Sequence, residues 1–318
     1  SQKYQILTEL NFCSLSSGSS GNCYYLGNSD SGILIDAGIS ASLIRKYLNN
    51  IGIQIETITG ILVTHNHIDH VKGLELLTRK DHIPAYTTRK IRQNILGSVK
   101  KMIPDSVRTI PMLESFRLAG LEILAFPVCH DAPETIGFHV CGGDRKITIA
   151  TDLGHISPVA ASYIRNSNFL VIESNYDEQM LSEGSYPRFL KARIRSDNGH
   201  LGNHQTSSFI AEIINDDLSN ICFAHLSRNN NTPEIVLQTL HRTLAEKGVV
   251  PGDHLQKESL TAVFPPNNPG NLTAELPYFL MIVIFFIKID NFIILVPVFD
   301  PDKPGPGFTE MVVPDPAG

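Results

Sequence analysis

Residues 64–70 read Thr64-His65-Asn66-His67-Ile68-Asp69-His70 and follow directly on the apolar run 58–63. No other stretch limits the possible folds as sharply. Three imidazoles crowded beside a carboxylate on one loop repel one another when charged, and all four groups lose hydration at a cost if they meet no partner. A divalent metal removes both difficulties, because neutral imidazole and carboxylate are its natural ligands. His65 and His67 can point to one side of an extended loop while Asp69 and His70 turn to the other. Such a loop can feed two metals a few ångström apart, which is a hydrolase device. The apolar pattern after it (Val71, Leu74, Leu76, Leu77) reads as a helix, so the loop sits at a strand end.

Other predicted strands also close on polar residues. Asp36 ends 33–35, His130 follows 126–129, Asp152 follows 147–151, Glu173 ends 169–172 and His225 ends 221–224. Ligands at the ends of strands from one sheet edge can converge, and six such ends in one chain point to a constructed site. Apolar runs predict strands at 23–26, 32–36, 57–64, 121–128, 137–140, 146–150, 169–173 and 221–225. Helical periodicity predicts helices at 40–50, 71–77, 89–96, 187–195, 206–215 and 233–247. Strands that come in groups and then alternate with helices indicate packed sheets with helices outside, a four-layer αββα sandwich.

A chain of 318 residues with 42% apolar content supports a sizeable core. Its net charge of −6 excludes a global positive field, so anion binding has to come from local patches or metals. Basic residues do cluster, at Lys72, Arg79, Lys80, Arg89, Lys90, Arg92, Lys100 and Lys101, at Arg188, Lys191, Arg193 and Arg195, and at Arg228. Five scattered cysteines without C-x-x-C spacing fit a reducing compartment, and a polar start without a leader adds to the expectation of a cytoplasmic protein. Composition breaks at Phe264, after which ten of the nineteen prolines fall. The expected division is a catalytic domain over 1–263 and a Pro-rich, partly disordered extension over 264–318. The apolar stretches in that extension are interrupted by Lys288 and Asp290. Neither half reaches the ~20 residues needed to span a bilayer, so a buried strand pair or a partner-binding segment is expected and no membrane association.

His65, His67, Asp69, His70, His130, Asp152 and His225 match in order and spacing the metallo-β-lactamase fold. Further motifs narrow the resemblance: Ser16-Ser-Gly-Ser-Ser-Gly-Asn-Cys23, Leu34-Ile-Asp-Ala-Gly38, His130-Asp-Ala-Pro-Glu-Thr-Ile-Gly137, Thr151-Asp-Leu-Gly154, Glu173-Ser-Asn-Tyr-Asp177, Gly199-His-Leu-Gly-Asn-His-Gln-Thr206 and Ala224-His-Leu-Ser-Arg-Asn-Asn-Asn231. Together they resemble the WalJ (YycJ-like) branch of bacterial DNA exonucleases over residues 10–262. The resemblance implies that His65, His67 and His130 bind one metal, that Asp69, His70 and His225 bind a second, and that Asp152 bridges both. Two divalent ions per chain follow, Zn or Mn, with Fe admitted by the same ligands. A 5′→3′ DNA exonuclease is implied, with DNA as its partner.

Phosphodiester hydrolysis needs a nucleophile at neutral pH, charge neutralisation on the phosphoryl oxygens and a proton for the leaving oxygen. Two metals supply the first two. For the third, His204 before a helix, oriented by Glu173, matches the proton donor of the related tRNA-processing nucleases better than His200 does. Asp69, His204 and Glu173 are thus the catalytic candidates. Ser17, Ser19 and Asn22 on a Gly-rich loop, with His200 and Arg228, are the substrate-binding candidates. Asp36 is expected to organise the site without binding metal. Rival readings are a small-molecule phosphodiesterase and a glyoxalase-type thioester hydrolase on the same fold, and a purely structural metal site.

Overall fold

The computed structural model describes residues 10–28, 30–215 and 217–249 and the strands Leu260–Ala262 and Phe292–Ile294. One sheet holds β1 (Leu10–Ser16), β2 (Cys23–Gly27), β3 (Gly32–Ile35), β4 (Ile58–Leu62), β5 (Ala85–Thr87) and β6 (Val107–Thr109). The other holds β7 (Ser115–Leu118), β8 (Leu121–Val128), β9 (Thr135–Gly142), β10 (Arg145–Ala150), β11 (Phe169–Glu173), β12 (Asn220–Ala224) and β13 (Leu260–Ala262). A last strand, β14 (Phe292–Ile294), pairs in parallel with β1 and returns the chain to the first sheet.

Helices α1 (Ala41–Asn50), α2 (Ile68–Val71), α3 (Leu74–Lys80) and α4 (Arg89–Ser98) belong to the first half. In the second lie α5 (Pro158–Arg165), α6 (Glu178–Glu183), α7 (Arg188–Ile194), α8 (Asn203–Ile213) and α9 (Pro233–Glu246). Several begin where a short polar side chain can take an orphan amide. Ser40, Thr88, Ser157, Asp177 and Thr232 each accept from the backbone N–H three residues on.

Two buried clusters define four layers. One contains Phe12, Tyr24 and Ile35 of the first sheet, Ile123, Phe138 and Val171 of the second, and Ile44, Leu77 and Ile91 of α1, α3 and α4. The rings of Phe12 and Phe169, 5.1 Å apart, meet across the sheets. The other joins Phe126, Ile172 and Phe223 to Ile164, Ile210 and Leu240 of α5, α8 and α9. The expected αββα sandwich is thus the observed fold.

Strand direction brings the polar strand ends together. β3 and β4 are parallel, with Ile35 opposite Leu62, so Asp36 and His65 leave the first sheet at one edge. β10, β11 and β12 are parallel, with Ala150 opposite Ile172 and Glu173 opposite Ala224. β8 and β10 both run antiparallel to β9, so His130 emerges beside Asp152, Glu173 and His225. The Ile136 amide donates to Thr64 O at 3.0 Å and ties the two sheets at this edge.

The structure departs from the sequence expectation in places. The helix expected over 71–77 is two helices split at Gly73, whose N–H donates to Ala37 O at 2.7 Å. A Cβ at Gly73 would stand 2.4 Å from Ile39 O, so the close passage of backbone fixes the break. The helix expected from 206 starts at Asn203, because Gln205 Oε1 accepts from the Gly202 amide at 2.8 Å. The domain boundary expected at 263 lies outside the described residues, as does the 264–318 extension except for β14. Among the described residues no helix is long and apolar enough to cross a membrane.

Candidate metal centre

Sites for metal are built from overlapping groups of ligand atoms, each group lying within 4.8 Å: His65, His67 and His130; His65, His70 and Asp152; Asp69, His70 and His225; and Asp152, Glu173, His200 and His225. Asp152 is the hinge between them. Its Oδ1 lies 3.5 Å from His225 Nε2 and 3.9 Å from His130 Nε2, and its Oδ2 lies 3.3 Å from His70 Nε2. His65 Nε2 and His67 Nδ1 are 3.0 Å apart. Asp36, Asp152 and His225 all adopt the left-handed backbone region, with φ of 60°, 56° and 54°. Asp and His tolerate that conformation better than most residues, and it turns each side chain out of its strand end toward the cluster.

Every imidazole but one is turned by a partner on its outer nitrogen. His70 Nδ1 donates to Asp36 Oδ2 at 2.7 Å, His130 Nδ1 to Gly199 O at 3.0 Å and His225 Nδ1 to Glu173 Oε1 at 2.6 Å. His65 Nδ1 lies 3.1 Å from Thr64 Oγ1, and Thr64 itself donates to Asp36 through both its amide and its hydroxyl. Each ring so held turns its Nε2 edge inward. His67, half-buried, presents Nδ1 instead.

Charge follows from this packing. Burial, with His70 nearby, pushes His65 well below the usual imidazole range, and burial with His130 lowers His67. Both are neutral, as ligands must be. Burial opposes ionisation of Asp152, yet His225 and His70 outweigh it and hold the carboxylate well below its usual range. Glu173 is likewise desolvated, but His200 and His225 pull it down to about 2. His200 in turn is raised to about 9, because Glu173 and Asp152 overcome its burial.

Two buried atoms of the cluster, Asp152 Oδ2 and His225 Nε2, have no hydrogen-bond partner. His225 Nε2 stands 3.5 Å from Asp152 Oδ1 and His70 Nε2 3.3 Å from Asp152 Oδ2, so ring nitrogens and carboxylate oxygens converge where a divalent cation would be held. The donor set of imidazole and carboxylate, with its outer nitrogens already satisfied, fits divalent metal.

Residues 32–218 match the family model of the Beta-lactamase superfamily domain. Exodeoxyribonuclease YycJ of Bacillus anthracis is 36% identical over 248 residues, which span 77% of this chain and 92% of that protein. Exodeoxyribonuclease WalJ of Streptococcus pneumoniae is 33% identical over 234 residues, 73% of this chain and 87% of the relative. The chain belongs to the metallo-β-lactamase superfamily, in the family of these exodeoxyribonucleases. Solved structures agree on the fold. The metallo-β-lactamase fold protein YhfI from Bacillus subtilis superimposes with a TM-score of 0.57 at 12% identity, covering 80% of this chain and 95% of that one. Human tRNase Z, short form, gives 0.51 at 18% identity, covering 68% and 92%. The protein is therefore a metal-binding hydrolase of the metallo-β-lactamase fold.

Within this superfamily scaffold the sequence-derived ligand candidates His65, His67, Asp69, His70, His130, Asp152 and His225 all lie in one cluster. The expected pairing of Glu173 with His204 is not formed. His204 is exposed on α8 and faces only Ser208 Oγ, 3.5 Å away, whereas Glu173 Oε1 holds His200 Nδ1 at 2.7 Å. The reason is local: the His200 amide donates to Ile194 O and turns that residue inward, while His204 falls on the solvent side of the first turn of α8.

The Gly-rich loop is not an open phosphate cradle either. Ser17 is fully buried, its hydroxyl paired with Tyr24 and accepting from the His225 amide at 2.8 Å. Asn22 is also buried; it accepts from the Gly18 amide, and its Nδ2 lies 3.0 Å from His70 Nε2. Ser19 and Arg228 are exposed. Arg92, counted in the basic run, donates to the carbonyls of Val107 and Pro104 and so braces the fold. Sequence reasoning missed Thr64, the hub between Asp36 and two histidines, and Asn175, whose Nδ2 donates to His225 O at 2.8 Å. Their only signal was position, each one or two residues from a strand-end ligand.

Proposed function

We propose that the protein is a DNA exonuclease that degrades strands in the 5′→3′ direction at a centre of two divalent ions. The observation that carries this reading is the pair of ligand triads His65–His67–His130 and Asp69–His70–His225, with Asp152 3.3–3.9 Å from His70, His225 and His130 between them and the His200–Glu173 pair alongside. His65, His67 and His130 would hold one ion, Asp69, His70 and His225 the other, and Asp152 would bridge. Zn, Mn and Fe all suit these donors. Divalent ions bound there supply Lewis acidity toward water and toward the scissile phosphodiester. Relatives of 33–36% identity that are named exodeoxyribonucleases support DNA as the substrate.

The chain's own residues then divide the remaining work. Asp69, whose side chain is partly open to solvent, orients the attacking water through Oδ2. His200, a cation near neutral pH, gives the proton on its free Nε2 to the leaving oxygen. Glu173 keeps that imidazole charged and fixes its plane through Nδ1. The expected roles are thus kept for Glu173 and Asp69, and the donor role passes from His204 to His200.

Purified protein supplied with Mn or Zn should release nucleotides from the 5′ label of duplex DNA before the 3′ label. His200→Ala should slow DNA hydrolysis by roughly 10²–10⁴-fold at unchanged metal content, and much less on a nitrophenyl phosphodiester, whose leaving group needs no proton. His204→Ala should stay near wild type. A loss confined to His204→Ala would return the donor role to that residue.

A further inference from the structure

Among the described residues the two most exposed large apolar side chains are Ile68, 70% exposed, and Phe189, 75% exposed. Ile68 adjoins His67 in sequence, and Phe189 is linked to the neighbouring His130 through Arg193 and Asp131. Ile68 follows His67, whose ring lies 5.3 Å from that of His130. Phe189 stands one turn before Arg193 on α7. Arg193 pairs with Asp131 Oδ2, and Asp131 Oδ1 is 3.2 Å from His130 Nε2.

The inner face of α7 is occupied. Leu190 and Ile194 pack with Tyr176, Leu181 and Tyr186. Phe189, Ala192 and Arg193, at i, i+3 and i+4, share the exposed face, and Ala192 is too small to cover the ring. The helix carries Arg188, Lys191 and Arg193 and no acidic residue. Lys191 turns back onto Ser182 O and Arg193 onto Asp131, while Arg188 is exposed and has no partner among the described residues. An uncovered aromatic ring beside a free guanidinium, continuous with a phosphodiester-cleaving centre, is complementary to a flat base on a polyanionic strand.

We infer that Phe189 is a stacking platform for an unpaired nucleobase next to the scissile phosphodiester, with Ile68 closing the other side of this subsite. The inference rests on the nuclease reading above. Stacking of this kind is tolerant of sequence, because every base offers a π-face.

The test compares DNA substrates with an ordinary or an abasic nucleotide at the attacked end, with a nitrophenyl phosphodiester run alongside. Wild-type kcat/KM should favour the base-bearing end by roughly 5- to 150-fold, the range of one base–aromatic stack. Phe189→Ala should remove most of that preference and Phe189→Trp should keep it. Ile68→Ala should reduce it in part, with metal content measured because His67 is adjacent. Indifference of the wild type to the terminal base, or an equal loss on both ends in Phe189→Ala, overturns the platform while leaving the nuclease reading intact. Hydrolysis of the nitrophenyl diester with no DNA end attacked overturns the nuclease reading and the platform with it.

Discussion

At the scale of single residues the centre depends on side chains that touch no metal. Asp36 accepts from the Thr64 amide and hydroxyl and from His70, all within a fully buried pocket. Asp36→Asn keeps the shape and suits the left-handed backbone at φ 60°, but it weakens the hold on His70 Nδ1. Metal affinity, followed by competition with a chelator, should fall by about 10–100-fold, as for other groups that orient metal-binding imidazoles. An unchanged affinity would remove Asp36 from that role. The convergence of His65, His67, Asp69, His70, His130, Asp152 and His225 was legible in the sequence, because a His or Asp at a strand end has few structural alternatives when several recur. For the partner of Glu173 the sequence favoured His204 over His200, and the structure has it the other way round. The two histidines lie four positions apart near one helix start, and only the turn of the Ile194–His200 backbone decides which meets Glu173. Ser17 misled for a related reason: small and polar, it suits a phosphate loop, yet here it is sealed in the core.

At the scale of elements, apolar runs announced most long strands, while β5, β6 and β7, three or four residues each, carry too little pattern to show. Their existence depends on pairing with neighbours already in place. The buried interface of β9, β10 and α5 makes a separate prediction. His139 Nδ1 donates to Thr148 Oγ1 at 2.8 Å, and that hydroxyl donates to Tyr163 O. Burial, with Lys146 nearby, lowers the His139 pKa. The unfolded chain therefore takes up the proton first. The stability gained from the neutral ring is complete above about pH 6.5 and is lost as pH falls below it, by about 1.4 kcal/mol per unit of displacement at most. His139→Asn lowers stability at all pH values but should flatten its slope between pH 7.5 and 5.5, read from thermal unfolding. Parallel slopes in the two proteins would contradict the account.

Across the whole molecule, a net charge of −6 has to coexist with binding of a polyanion. Local placement offers the resolution. Thr88 caps α4 and donates to Glu134, four residues beyond His130, so the exposed pair Arg89 and Lys90 is anchored to a loop of the metal cluster. Neutralising both, as Arg89→Gln with Lys90→Gln, should lower the slope of log affinity against log salt on duplex DNA by up to ~1.8, about 0.9 per lost phosphate contact, alike on unrelated sequences. A slope unaffected by these changes would place the strand elsewhere. Architecture also sets a timetable for the site. His65, His67 and His130 can gather once the first sheet and the β8 strand have met, whereas the His225 amide is held by Ser17, 208 positions away in sequence. Closure over such a distance comes late in folding. A chain still emerging from the ribosome can thus offer one triad of imidazoles to a metal but not the full centre. Hydrolytic competence then arrives only when the loop between β1 and β2 and the end of β12 have found each other.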